Sequence, residues 1–268
     1  MSSTDPATKP TVVCVFCGAH PGTSPSHLAS ARALAHIFAR ENIQLVYGGG
    51  TAGIMGELAR TLVSLSGPQA VHGVIPTALV KIENGYRSTL TAAGSASMNP
   101  VVRGVAGEGV DVEVGGKTPE RVVQGDVDAG VDGDGKGDGT LLGESEYGLT
   151  TLVPDMHTRK RIMAQKVMEG GAGSGFVVLA GGFGTLEEAA EMVTWNQLGI
   201  HHRGIVLLNI AGYWDGLLGW LENAVREGFV SRVNKEILVE CKSVEEVLGA
   251  LRGYRLSEGR FSLDWASG

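Results

Sequence analysis

The ten residues "LAGGFGTLEE" (179–188) place three glycines, a threonine and two acids directly after the apolar run "GFVV" (175–178). Gly181, Gly182 and Gly184 leave backbone N–H groups open to an anion, and Thr185 stands where a helix would begin with its positive end toward that anion. Thr185 with Glu188 also spells the capping box S/T-x-x-E, which would make Glu188 a structural residue. Against that, Glu187 and Glu188 both fall at the mouth of a strand, where a carboxylate can do acid–base work. A second bare loop, Gly48, Gly49 and Gly50 in "YGGG" (47–50), would admit an anion in the same way. Cations come from "DMHTRKRIMAQKVME" (155–169). On a helical wheel Arg159 and Lys160 flank the stripe of Met156, Met163 and Val167, while Arg161 points away. Arginine there suits bidentate binding of phosphate or ribose oxygens, and lysine acts as a point charge.

Other patterns are excluded by what they lack. The first β–α turn carries no G-x-G-x-x-G and no acid follows for a ribose, so this is not a dinucleotide fingerprint; no lysine follows the glycines, so it is not a P-loop. Cys14 and Cys17 form a C-x-x-C whose odd spacing turns the two thiols to opposite faces of a strand, which makes them core residues rather than a metal or redox pair. His157, His201 and His202 have neither metal spacing nor a nucleophile partner, and Trp195 reads as core or interface. We expect no metal and no cofactor.

These groups need a frame to position them. "TVVCVFC" (11–17), "IQLVY" (43–47), "AVHGVIP" (70–76), "LTTLVP" (149–154), "GFVVLA" (175–180), "GIVLLNI" (204–210) and "EILVE" (236–240) read as strands separated by helical patterns, one of them starting at Leu186. The fold class is α/β: a Rossmann-like, doubly wound, mostly parallel sheet of about seven strands with helices on both faces. Ligands bind such sheets at the carboxyl ends of the strands, where all the loops above fall.

One domain is expected over 11–252, with a disordered tail at 1–10, a C-terminal tail at 253–268 and a Gly/Asp-rich insertion at 86–148. Between Gly104 and Gly143 there are nine acids, three bases and no aromatic residue, so six of the chain's seven net negative charges sit there. Such a stretch buries too little apolar surface to offset its chain entropy and is expected to be disordered. Its aspartates lack the closing glutamate and flanking helices of an EF-hand. The rest of the chain is close to neutral, which argues against nucleic acid or a membrane surface as partner. No apolar run approaches the ~18 residues of a membrane span, no secretory signal opens the chain, and three cysteines fit a reducing cytoplasm.

At "DMHTRKRIM" (155–163), "AGGFGTLEE" (180–188) and "TWNQLGIH" (194–201), with "YGGGTAGIMG" (47–56) and "VIPTAL" (74–79), the chain resembles the LONELY GUY family of cytokinin-activating phosphoribohydrolases. The family hallmark is P-G-G-x-G-T-x-x-E. The resemblance covers about 11–82 and 149–250. It implies hydrolysis of the N-glycosidic bond of N6-substituted adenosine 5′-monophosphates to free base and ribose 5-phosphate. It also implies Arg159 and Glu188 as the catalytic pair, Lys160 beside them, and Gly181, Gly182, Gly184 and Thr185 as phosphate contacts; Gly48, Gly49, Gly50 and Glu187 complete the expected substrate site. It implies a homodimer or larger homo-oligomer, with the helix at 186–198 as a contact surface. Two residues depart from the pattern: Ala180 replaces the proline, and Ala19 stands where a serine usually follows "CG". The alternatives are a general purine or pyrimidine nucleoside monophosphate nucleosidase and a non-catalytic nucleotide or molybdenum-cofactor binding module. The older description of such chains as lysine decarboxylases is rejected, because no lysine environment for pyridoxal phosphate is identifiable.

Overall fold

Short apolar runs bounded by glycine become strands because β-branched and aromatic side chains fit a pleated surface buried on both faces. The computed structural model describes residues 9–80 and 139–265. In chain order its elements are β1 (Val12–Phe16), α1 (Pro25–Arg40), β2 (Gln44–Tyr47), α2 (Gly53–Ser66), β3 (Val71–Pro76) and a short α3 (Thr77–Val80). Then come β4 (Thr140–Ser145), β5 (Gly148–Val153), α4 (Met156–Glu169), β6 (Gly175–Val178), α5 (Phe183–Gln197) and β7 (Gly204–Leu208). The last elements are α6 (Asp215–Arg226), a short α7 (Arg232–Lys235), β8 (Leu238–Cys241) and α8 (Val244–Arg252).

The strands form one sheet in the order β4-β5-β3-β2-β1-β6-β7-β8, parallel throughout except for the β4–β5 pair. Side-chain alternation along β1 serves two cores. Val13, Val15 and Cys17 pack under α1, α2 and α8, while Val12, Cys14 and Phe16 pack with residues of α4 and α5. The two thiols are therefore on opposite faces, buried and free. After β1 the chain winds outward through β2, β3 and β5, then returns to lay β6 against the other side of β1. That reversal opens the crevice in which a doubly wound sheet holds its ligand.

Three expectations are adjusted. The sheet has eight strands among the described residues, and the eighth, β4, lies inside the stretch assigned to the insertion. Leu142 packs on Ile75, Val80 and Leu152, and Tyr147 is buried at the hairpin end, so averaging composition over 86–148 hid a local apolar anchor. Residues 81–138, which hold the rest of that insertion, and 1–8 of the tail lie outside the described residues. Lys9 and Pro10 are exposed but tied to the domain: the Gly171 N–H donates to the Pro10 carbonyl at 2.8 Å. The residues after 252 run back over the end of α5. Arg260 donates to the carbonyls of Asn196 and His201, the Phe261 N–H to Gln197, and the Trp265 indole to Leu198, satisfying carbonyls that a helix end leaves open.

Candidate active site

Asp155 caps α4 by accepting from the Thr158 N–H at 2.8 Å, which starts the helix so that its fourth residue, Arg159, points at the sheet. Arg159 is buried. Its Nε donates to the Val74 carbonyl on β3 at 3.1 Å and its Nη2 to the Gly48 carbonyl after β2 at 3.2 Å. A Cβ on Gly48 would stand 1.8 Å from Nη2; glycine there is what lets the guanidinium pass.

Across the crevice, α5 begins at Phe183 with Gly182 as its N-cap, and no side chain caps it. The helix therefore starts earlier than Leu186, Thr185 is already inside it, and the capping box does not form. Glu188 lies in the second turn instead, facing inward with only 6 % of its surface exposed. Its Oε1 is 3.4 Å from Arg159 Nη1, but the guanidinium is committed to two carbonyls and is not aimed along that line, so Oε1 has no hydrogen bond. Burial raises the Glu188 pKa above the usual carboxylate value; Arg159 opposes the shift, Glu187 adds to it, and the net direction is upward. Burial and the Glu188 charge likewise push the Cys17 thiol up, so it is a neutral wall residue.

Around this pair lies a cavity of about 360 Å³ whose lining includes Gly48, Gly50, Gly182, Gly184, Thr185 and the two charged side chains. A Cβ on Gly182 or Gly184 would meet nothing within 4 Å, so no packing demand of the chain requires glycine at either place. Met55, Ile75 and Leu79 make an apolar wall opposite. The loop after β1 ties the site together: the Gly18 N–H donates to the Ala180 carbonyl at 2.9 Å, and the Gly18 carbonyl accepts from Ile54 and Met55 at the start of α2. The α2 terminus is thus satisfied internally, whereas the first turn of α5 is not capped by a side chain.

With this geometry in hand, the chain can be set beside known proteins. A family model described as possible lysine decarboxylase matches residues 55–251. A bifunctional cytokinin biosynthesis protein of Fusarium pseudograminearum (strain CS3096) is 42% identical over 243 residues, 91% of this chain but 40% of that protein. A probable cytokinin riboside 5′-monophosphate phosphoribohydrolase of Oryza sativa subsp. japonica is 31% identical, covering 95% of this chain and 90% of its own. A cytokinin riboside 5′-monophosphate phosphoribohydrolase of Arabidopsis thaliana is 32% identical, covering 90% and 83%.

The chain belongs to the LONELY GUY family.

Among solved structures, the molybdenum cofactor carrier protein of Chlamydomonas reinhardtii aligns at TM-score 0.49 and 13% identity over 91% of this chain and 97% of that one. The residues expected at the substrate site divide into two groups here. Gly48, Gly50, Gly182, Gly184, Thr185, Arg159 and Glu188 share the cavity. Gly49, Gly181, Lys160 and Glu187 do not line it. Gly181 is filled in by Thr185, whose Oγ1 would sit 2.1 Å from a Cβ there, and its carbonyl accepts from the Tyr213 hydroxyl. Lys160 lies between α4 and α5 with its side chain largely buried, meeting Glu187 and, at 3.1 Å, Glu191. Although burial lowers its pKa, the contacts with these acids outweigh that and hold it charged.

Ala180 keeps the carbonyl that Gly18 uses, so the missing proline costs no contact at this point, while Ala19 lines the cavity without the hydroxyl a serine would bring. The apolar wall of Met55, Ile75 and Leu79 was not singled out as a site. Its residues lie in "YGGGTAGIMG" and "VIPTAL", but by type alone they cannot be told from core. His201, given no chemistry, is structural: Nε2 donates to the Met192 carbonyl, Nδ1 accepts from the Arg203 N–H, and burial pulls its pKa down to about 4.

Proposed function

We propose that this chain hydrolyses the N-glycosidic bond of cytokinin riboside 5′-monophosphates, N6-substituted adenosine nucleotides, to free base and ribose 5-phosphate. The observation that carries this is the buried Glu188 carboxylate, with one oxygen lacking a hydrogen bond, beside Arg159 at the meeting of the two bare glycine loops. The relatives named as phosphoribohydrolases support it. The 5′-phosphate sits on the uncapped first turn of α5 at Gly182, Gly184 and Thr185, where backbone N–H groups and the helix dipole favour an anion. The base and its N6 substituent lie toward Met55, Ile75 and Leu79.

In the reaction, the bond from ribose C1′ to the base nitrogen breaks and its electron pair leaves with the base. Water oxygen closes on C1′, and the two water protons end on the new hydroxyl and on the base. Positive charge grows on the ribose, which Glu188 stabilises more strongly in a buried site than water would, while its open oxygen accepts from a ribose hydroxyl or the attacking water. Arg159, held by two backbone carbonyls, opposes the upward pull of burial on the Glu188 pKa and keeps the ribose phosphate oriented. Lys160 and Glu187 act outside the cavity, joining α4 to α5.

A homodimer is the assembly this reading favours. The outer face of α5 meets α6 in an apolar groove containing Leu186, Val193, Leu217 and Trp220, with Trp220 60% exposed; a second copy covers it. Light scattering should give twice the chain mass, and Trp220→Glu should return the monomer. The three buried, unpaired cysteines fit a reducing compartment, the cytoplasm. Incubation with N6-isopentenyl-AMP and with AMP tests the activity: chromatography should show free base and ribose 5-phosphate, with kcat/KM higher for the isopentenyl nucleotide. Equal or higher kcat/KM for AMP would replace the cytokinin substrate by ordinary nucleotides.

A further inference from the structure

A larger recess, about 700 Å³, opens at the other end of the sheet, where β1, β2, β3 and β5 begin beside the last turns of α4. Its volume is in the range of small-molecule sites. The recess and the catalytic cavity are connected through one helix. Lys166 is seven residues from Arg159, about two turns and 10 Å along α4 on nearly the same side. Arg159 reaches Val74 on β3; Lys166 shares the recess with His72, two residues earlier on the same face of β3. Helix α4 therefore delivers one cation to each end of the sheet.

The two cations differ in company. Lys166 is half-buried and has no hydrogen bond or ion pair among the described residues. Burial lowers its pKa, and Glu169, the one acid in the lining, partly restores it. That carboxylate already accepts from Gln165 Nε2 at 2.8 Å. Lys9 stands at the rim and Gln44 adds an amide group, while the Gln69 amide already donates to Glu144 Oε1 at 2.5 Å. His72 is held neutral near pH 7, its pKa pulled to about 4 by burial and by Lys166, and its Nε2 is 2.8 Å from Thr151 Oγ1. The local balance is one net positive charge, surrounded by donors approaching from different elements, over an apolar floor of Val12, Val46 and Leu149.

We propose that this recess is a second ligand site for a phosphate monoester, its oxygens held by Lys166, Lys9 and the Gln44 amide and its body resting on the apolar floor. A phosphate offers several acceptor oxygens to point-charge and amide donors that a single carboxylate would leave partly unmet. The site is independent of the glycosidic reaction and does not require it.

Phenyl phosphate, which has no glycosidic bond, is the probe. Titrated into the 15N-labelled full chain, it should shift the backbone amides of Gln44, Gln69 and His72 at the recess and, separately, those of Gly182 to Thr185. In Lys166→Met the recess shifts should need at least tenfold more ligand, with the loop shifts unchanged; Gln44→Leu should weaken the recess alone by a smaller factor. Inorganic phosphate should move the same recess amides with weaker affinity, because it lacks a body for the apolar floor. Recess amides that stay still while the loop amides move would overturn the second site and leave the catalytic reading standing. Recess shifts with the same affinity in Lys166→Met, or equal affinity for the two probes, would overturn the assignment of its contacts.

Discussion

Helices α4 and α5 face each other across two cation–carboxylate contacts made by neighbouring residues, Arg159 with Glu188 and Lys160 with Glu187 and Glu191. The outer contact is shared by two acids, and it includes a buried carboxylate oxygen without a hydrogen bond, Glu191 Oε2. The exposed Glu187 keeps its hydration. The inner contact is longer, both of its side chains are buried, and no exposed acid shares it; Glu188 Oε1, too, has no hydrogen bond. A charge pair built only to join two helices gains nothing from being taken out of water, because desolvation offsets most of the attraction. On the proposed function, the inner pair is a functional arrangement maintained at a cost to stability, and the outer contact joins its two helices.

Substitutions that remove or displace the inner cation should have the largest effects. Arg159→Ala deletes the donor to the Val74 and Gly48 carbonyls as well as the charge. Its kcat/KM should fall on the order of 10³-fold, as for loss of a central electrostatic group, with stability lower by roughly 1–3 kcal/mol from the carbonyls left behind. Steady-state kinetics and denaturant titration check both. Gly48→Ala leaves every charge in place but puts a methyl group where Nη2 now lies. Displacing the guanidinium by about 1 Å should lower kcat about 10²-fold; an unchanged kcat would mean that Arg159 need not sit where it does.

The stability cost itself can be read from pH. The folded pKa of Glu188 is raised above its unfolded value, so ionising it is harder in the folded chain. That penalty is absent below the unfolded pKa, grows as pH rises between the two values, and is complete above the folded one. Glu188→Gln should therefore melt a few degrees higher than wild type at pH 7, Arg159 keeping its two carbonyl acceptors, and the difference should close as pH falls below about 4.3. A lower Tm at pH 7 would make the inner pair a stabilising one. The smallest effect on turnover belongs to the outer contact: Lys160→Met should change kcat/KM by less than about threefold, while stability falls by roughly 1–3 kcal/mol because the half-buried Glu191 loses its cation.

The sheet and the charged residues of this contrast are legible in the sequence; their division between two contacts is not. Continuous apolar runs alternating with helical patterns gave the parallel sheet, and the wheel around Met163 put Arg159 and Lys160 on either side of the inward stripe. A wheel cannot say which flank meets a cavity. That depends on where β3 and the Gly48 loop lie, and they hold Arg159 at the cavity while Glu187 and Glu191 hold Lys160 between the two helices. The capping box at Thr185 and Glu188 misled for a local reason: glycines 182 and 184 let α5 start a turn early, which rotated Glu188 from the helix end into the crevice. Met55, Ile75 and Leu79 carry no mark by type that separates a binding wall from core, and β4 was lost in a window dominated by glycine and aspartate.

The most direct test sets the two contacts against each other in one assay. Wild type, Glu188→Gln and Glu187→Gln would be incubated with N6-isopentenyl-AMP, and free base and ribose 5-phosphate followed by chromatography, with nucleotide binding measured in parallel. The account predicts that Glu188→Gln binds nucleotide but loses turnover on the order of 10³-fold, whereas Glu187→Gln stays within about threefold of wild type. Equal losses in the two variants, or turnover surviving in Glu188→Gln, would contradict it.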